Sequence, residues 1–173
     1  TKNLIEDINA KTHALNEQVA QNAIALLAYN NKNTFPLKKY TANASNDPGL
    51  FPTLKKTIAY VGIGVDKPNH FSKQVSDFYQ TDNYFLPYNM SSEKCSDQLQ
   101  QITKKKYDAV VIGIHNYSRR PANGYGISTT AQKLIDDLAQ LENSVIFYFG
   151  NPYAVTEKSI KGNNERIAVV GGS

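Results

Sequence analysis

The sequence predicts an α/β protein, a three-layer sandwich on a mostly parallel sheet in flavodoxin-like order. Two observations lead there. Short β-branched runs recur at residues 57–63, 108–115 and 144–149, each too apolar to leave one face in water. Between them, apolar residues repeat at helical spacing, and strands separated by single helices require parallel, right-handed crossovers.

The elements follow in order. Leu15, Val19, Ala23, Leu26 and Leu27 predict an amphipathic helix over residues 12–29, with Glu17, Gln18 and Gln21 outside and the Asn30-Asn31-Lys32-Asn33 run as its stop. Residues 1–15 read as a linker leading into that helix. Pro36 biases Phe35 away from helical angles, so Phe35-Pro36-Leu37 forms an extended apolar plug. Residues 41–49, rich in Asn, Ser, Pro and Gly, form a loop.

Residues 57–63 make the first clear strand. Gly62-Ile63-Gly64 lacks the third glycine of a dinucleotide fingerprint, because Asp66, Lys67 and Pro68 occupy its place, so the glycines serve a tight strand exit. Phe71, Val75 and Phe78 share the next helix face, and residues 84–87 form a short strand. Ser91 or Ser92 caps a helix whose apolar face holds Cys95, Leu99 and Ile102. After the central strand, the polar loop 116–127 leads to Ser128, the cap of a helix with Ala131, Leu134, Ile135, Leu138 and Leu141 inward and Lys133, Asp136 and Asp137 in water. Residues 144–149 form another strand, Gly150-Asn151-Pro152-Tyr153 turns sharply, and residues 166–170 are the last strand.

The chain of 173 residues, 40% hydrophobic, suits a single domain. It begins without Met and carries no apolar leader, which reads as a piece of a longer protein. No run approaches the roughly 18–20 apolar residues of a membrane span, so no membrane insertion is expected. The formal charge of +4 comes from dispersed pairs and triplets such as Lys38-Lys39, Lys55-Lys56 and Lys104-Lys105-Lys106, not the clustered pattern of a nucleic-acid binder. A lone Cys95 excludes an internal disulfide.

Specific chemistry is sparse. His13, His70 and His115 fall in separate elements, so neither a metal site nor a cofactor is expected. No Gly-x-Ser-x-Gly turn and no phosphate-binding Gly-rich loop ending in Lys-Ser/Thr occurs. Asp66 and Asp82 have no second acid for glycosidase chemistry. Open parallel sheets bind ligands beyond the carboxyl ends of their strands. The loop opening His115-Asn116-Tyr117-Ser118-Arg119-Arg120 is therefore the candidate site, and a merely solvated connection is the plainer reading of the same residues.

Two motifs carry a resemblance. Asn22-Ala23-Ile24-Ala25-Leu26-Leu27, leading through Asn31 to Phe35-Pro36-Leu37, resembles the opening of the second, α/β sandwich domain of family 3 glycoside hydrolases, although Phe35 stands where that family has leucine. Phe149-Gly150-Asn151-Pro152-Tyr153-Ala154 resembles its strand-to-turn motif, and residues 16–155 can be laid on the pattern. The loop from Ile114 to Ser128 looks most like the β-N-acetylhexosaminidase branch, some members of which carry a further β-lactamase-like domain.

The resemblance implies an accessory C-terminal domain, inert alone, that packs on an upstream TIM-like catalytic barrel in a periplasmic or extracellular parent. The nucleophilic aspartate and the Asp-His acid/base pair of that branch belong to the barrel, so no catalytic residue is expected here and His115 does not take that role. Other members place a glutamate acid/base on this domain, and no position of this sequence matches it. His115, Asn116 and Arg119 would donate to the hydroxyls or N-acetyl carbonyl of a carbohydrate substrate, with Tyr117 or Tyr125 stacking on a ring. The plainer reading of each is contact with the neighbouring domain or with water. Two other readings stay open: a stand-alone binding module for a phosphate or nucleotide, suggested by Arg119 and Arg120, and a structural or dimerisation domain with an exposed apolar patch.

Overall fold

A computed structural model describes residues 2–22, 25–28, 57–151, 154 and 167–171. The elements are α1 (Lys2–Asn22), β1 (Ala25–Ala28), β2 (Thr57–Ile63), α2 (His70–Phe78), β3 (Gln80–Leu86), α3 (Ser92–Lys104), β4 (Ala109–Ile114), α4 (Thr129–Leu138), β5 (Ser144–Phe149) and β6 (Ile167–Gly171). They build one six-stranded sheet in the order β1-β6-β5-β4-β2-β3. Strands β2 to β6 are parallel neighbours and β1 alone runs antiparallel, against β6. Counted from β2, the parallel strands stand in the flavodoxin-like order that the alternating pattern predicts.

The central strands are apolar because both faces are covered. All of β4 is buried, as is β2 beyond Thr57. Against one face, α3 and α4 pack Cys95, Ile102, Ala131, Leu134, Ile135 and Leu138 over Val61, Ile63, Val110 and Ile112. The other face carries Ile58, Tyr60, Ala109 and Val111 beneath Phe71 and Tyr79, the first from α2 and the second just after it. Capping follows the sequence. The Ser91 and Ser128 side chains accept from the Lys94 and Ala131 amides at the starts of α3 and α4. Asn69 and Ser72 form a reciprocal capping box on α2.

The structure corrects five expectations. The first helix does not run over residues 12–29; it spans Lys2–Asn22, and Ala25–Ala28 is an edge strand paired with β6. A four-residue run of Ala and Leu is ambiguous by periodicity, and the open edge of β6 decides it. Leu15, expected to face inward, is 59% exposed, with Ile5 and Ile8 also exposed on α1. Strand β3 begins at Gln80, four residues before the expected start at Tyr84. Its polar residues Thr81, Asp82 and Asn83 are tolerated because β3 is a sheet edge. Phe78 is 72% exposed: α2 ends there, and Tyr79 turns onto the sheet in its place. Asp136 and Asp137 are half-buried, not in water, and Asp137 lines the groove between α3 and α4. The expected plug at residues 35–37, the loop at 41–49 and the residues Pro152 and Tyr153 lie outside the described residues.

Candidate functional site

Strands β2 and β4 are neighbours whose connections leave in opposite directions, β2 toward β3 and β4 toward β5. Their carboxyl ends therefore bound the crevice where doubly wound sheets take ligands. Here the protein's own groups close it. The His115 amide donates to the Ile63 carbonyl at 2.9 Å, and the Asn116 side-chain amide donates to the Gly64 carbonyl at 2.9 Å. The Tyr88 hydroxyl donates to the His115 carbonyl at 2.5 Å. Gly64 joins the seam from the other side, its amide donating to the Leu86 carbonyl while it holds φ +81°, which glycine adopts freely.

His115 turns inward and is only 8% exposed. Its ring stacks on Phe149, with centroids 4.5 Å apart and planes 5° from parallel. Space for the ring comes from Gly113, where a Cβ would lie 2.6 Å from the imidazole Nε2 and 2.9 Å from the Tyr60 hydroxyl. Tyr60 lies 2.9 Å from Nε2 and the Asn69 amide nitrogen 3.2 Å from it. Asn69 has no rotational choice, because its Oδ1 accepts from the Ser72 amide in the capping box. Its NH2 must therefore face the imidazole, so Nε2 is the unprotonated, accepting nitrogen. Burial pushes the His115 pKa down to about 4 and the Tyr60 pKa up to about 12. The ring is a neutral, buried connector.

The loop beyond it is built, not slack. The Tyr117 hydroxyl donates to the Asn151 carbonyl at 3.1 Å, and burial raises its pKa to about 12. A Cβ at Gly150 would stand 3.0 Å from the Tyr117 ring. The Asn151 side chain donates to the Arg119 carbonyl at 2.9 Å, the Arg120 amide to the Ser118 hydroxyl at 3.0 Å, and the Ser118 amide to the Tyr125 carbonyl at 2.6 Å. Asn123, Gly124, Tyr125 and Gly126 all have positive φ, at 54°, 60°, 59° and 75°. With the Gly126 amide bonded to the Asn123 carbonyl and the Ile127 amide to the Gly124 carbonyl, they form one left-handed 3₁₀ turn. Such a conformation costs an L-residue roughly 1–2 kcal/mol, which the two glycines avoid and Tyr125 does not.

The five candidate residues thus separate. His115 is interior, Asn116 is committed to Gly64, and Tyr117 is committed to Asn151. Arg119 is exposed, as is Arg120, and Tyr125 is half-buried at the loop tip. Residues 116–128 contain no acid, and among the described residues neither guanidinium has an ionic or hydrogen-bonded partner. Sequence reasoning passed over Tyr60, Asn69, Tyr88 and Asn151, which orient the others. Asn69 alone had a signal, an Asn three residues before Ser72 at a helix start.

Elsewhere, Asp82 accepts from Tyr107 at 2.7 Å and from Lys105. Both hydrogen bonds hold its carboxyl below the usual range. No cluster of three or more His, Cys, Asp or Glu side chains forms among the described residues, nor is any described helix long and apolar enough to cross a membrane. No known protein family, curated protein or solved structure matches the chain.

Proposed function

We propose that this domain is an accessory module of a family 3 glycoside hydrolase, of the β-N-acetylhexosaminidase kind. It would pack against a catalytic barrel supplied by the same parent chain, in a periplasmic or extracellular protein. The observation that carries the reading is the strand-end surface. Its ligand crevice is closed by Asn116 and Tyr88, while a braced loop leaves Arg119 and Arg120 exposed and Tyr125 half-buried. A surface of that kind suits presentation to a neighbour better than enclosure of a substrate. The motifs at residues 22–37 and 149–154 give the family its place in the proposal.

In this reading Arg119 and Tyr125 reach the barrel's sugar site, the first donating hydrogen bonds and the second offering a ring face. His115, Asn116 and Tyr117 hold the loop in place and do not touch sugar. The alternative, a free-standing phosphate or nucleotide module, draws on Arg119 and Arg120, which have no partner among the described residues, and the closed crevice weighs against it.

Turnover of an aryl N-acetylglucosaminide by the parent chain, by its Arg119→Ala/Tyr125→Ala variant and by these 173 residues alone tests the proposal. The parent should turn over, the folded variant should be impaired and the isolated domain should be inert. A parent without glycosidase activity would remove the proposal. Saturable phosphate binding by the isolated domain would favour the alternative.

A further inference from the structure

The polar atoms around His115 can be counted as donors and acceptors. About Nε2 itself, when that nitrogen is unprotonated and the ring proton sits on Nδ1, there are two acceptors, Nε2 and the Tyr60 oxygen, and two donors, the Tyr60 hydroxyl and the Asn69 NH2. Tyr60 donates to Nε2, and Asn69 donates to either acceptor, so each group is satisfied. Protonation at Nε2 turns an acceptor into a donor. Three donors then share one acceptor, the Tyr60 oxygen, in a site too buried for water to help freely.

Asn69 cannot relieve the conflict by flipping its amide, because its Oδ1 holds the Ser72 amide at 2.8 Å. Nor, among the described residues, does any charged group compensate. The ring faces Tyr60 from β2, Asn69 from the α2 cap and Phe149 from β5, with the Tyr88 hydroxyl on its own carbonyl. Burial accounts for the depressed basicity of the imidazole, and no Asp, Glu, Lys or Arg among the described residues contributes.

We propose that His115 is an acid-operated latch that, when neutral, fastens the first turn of α2 to the loop following β4, and on protonation releases both together. The coupling is mechanical. A charged ring seeking water must leave the space over Gly113 and Phe149. That movement pulls on the His115 carbonyl bonded to Tyr88 and on the adjoining Asn116–Gly64 bridge, while Asn69 loses its partner at the α2 cap. Acid would then reopen the crevice and free the Arg119 loop. The latch does not depend on the glycosidase reading.

Hydrogen exchange followed by NMR on the 173-residue chain tests it. The amides of Ser72, Lys73 and Ser118 report the cap and loop, and those of Val110 and Ile112 report the sheet. A group whose pKa is lowered in the closed state from 6.5 to about 4 favours the closed state least in acid, so protection falls as pH drops through that window, by up to about 300-fold. The cap and loop amides should lose protection together while the sheet amides keep theirs. Asn69→Asp keeps the cap oxygen and supplies the missing acceptor. It should raise the His115 ring pKa and preserve cap and loop protection in acid. His115→Gln, neutral at every pH, should remove the dependence. Constant protection in the wild type, loss only in step with Val110 and Ile112, or an Asn69→Asp chain that still opens in acid would each overturn the latch.

Discussion

The side-chain amide of Asn116 lies 2.9 Å from the Gly64 carbonyl oxygen, and this contact bridges the ends of β2 and β4 where a doubly wound sheet would otherwise be open. Asn116 makes it from φ 54°, a conformation that asparagine tolerates better than most residues. Bridge and backbone can be separated by substitution. Asn116→Ala loses the hydrogen bond and strains the backbone, and should cost about 2 kcal/mol. Asn116→Gly loses only the bond, and should cost about 1 kcal/mol or less. Urea unfolding with unchanged m-values reads both; equal costs would show that the left-handed backbone contributes nothing.

Gly113 should be intolerant for a specific reason. An alanine Cβ there would meet the His115 Nε2 at 2.6 Å and the Tyr60 hydroxyl at 2.9 Å, in the interior of the sheet. Gly113→Ala is expected to destabilise by roughly 2–3 kcal/mol. In a His115→Ala background much of that cost should vanish, because one of the two obstructing side chains is gone. A double-mutant cycle should therefore show coupling of about 1 kcal/mol or more. Strict additivity would mean that the clash lies with Tyr60 alone.

Asp82 gives the domain an acid-sensitive tie at its sheet edge. Hydrogen bonds from Lys105 and Tyr107 lower its pKa from the usual 3.8, so it contributes stability above that value and loses it as pH falls through the lowered one. Asp82 and Lys105 are well exposed, which leaves the Tyr107 hydroxyl as the main contributor. Tyr107→Phe should cost about 1 kcal/mol at neutral pH. The cost should shrink once Asp82 is protonated, and a penalty independent of pH would assign it to packing or to the hydrogen bond that the Tyr107 and Tyr84 hydroxyls share at 2.7 Å.

Ser144 opens β5 with a hydroxyl that is buried and has no hydrogen-bond partner among the described residues. Ser144→Ala removes that uncompensated group without leaving a large cavity. Thermal unfolding should show a melting temperature equal to or above that of the parent. A clear loss of stability would point to a bound water at Oγ.

The strands were legible wherever burial on both faces left a mostly apolar run, as in Ala109–Ile114 and Ser144–Phe149. The cap at Ser128 was equally plain, and the one at Ser91 was narrowed to it or Ser92, because an N-cap is a local chemical requirement. Strand β1 was not legible. Its Ala-Leu-Leu-Ala carries no period, and its state depends on β6, well over a hundred residues away. In the candidate site, position along the strand ends was readable, whereas side-chain direction was not. Whether His115 faces solvent or Phe149 depends on the space left by Gly113 and on an Asn69 that arrives from another element.

Tyr125 joins backbone strain to the proposed sugar contact. It holds φ 59° inside the left-handed turn, between two glycines that adopt the same hand without penalty, and its carbonyl receives the Ser118 amide. Tyr125→Gly keeps that backbone bond and removes the strain, offset in part by the greater freedom of glycine in the unfolded chain. The domain should gain up to about 1 kcal/mol in urea unfolding. If the aromatic ring serves the proposed sugar site, the same substitution in the parent chain should lower kcat/KM for an aryl N-acetylglucosaminide, as Arg119→Ala should without any gain in stability. A variant that is both more stable and fully active would show that Tyr125 is held in its strained turn for some purpose other than sugar contact.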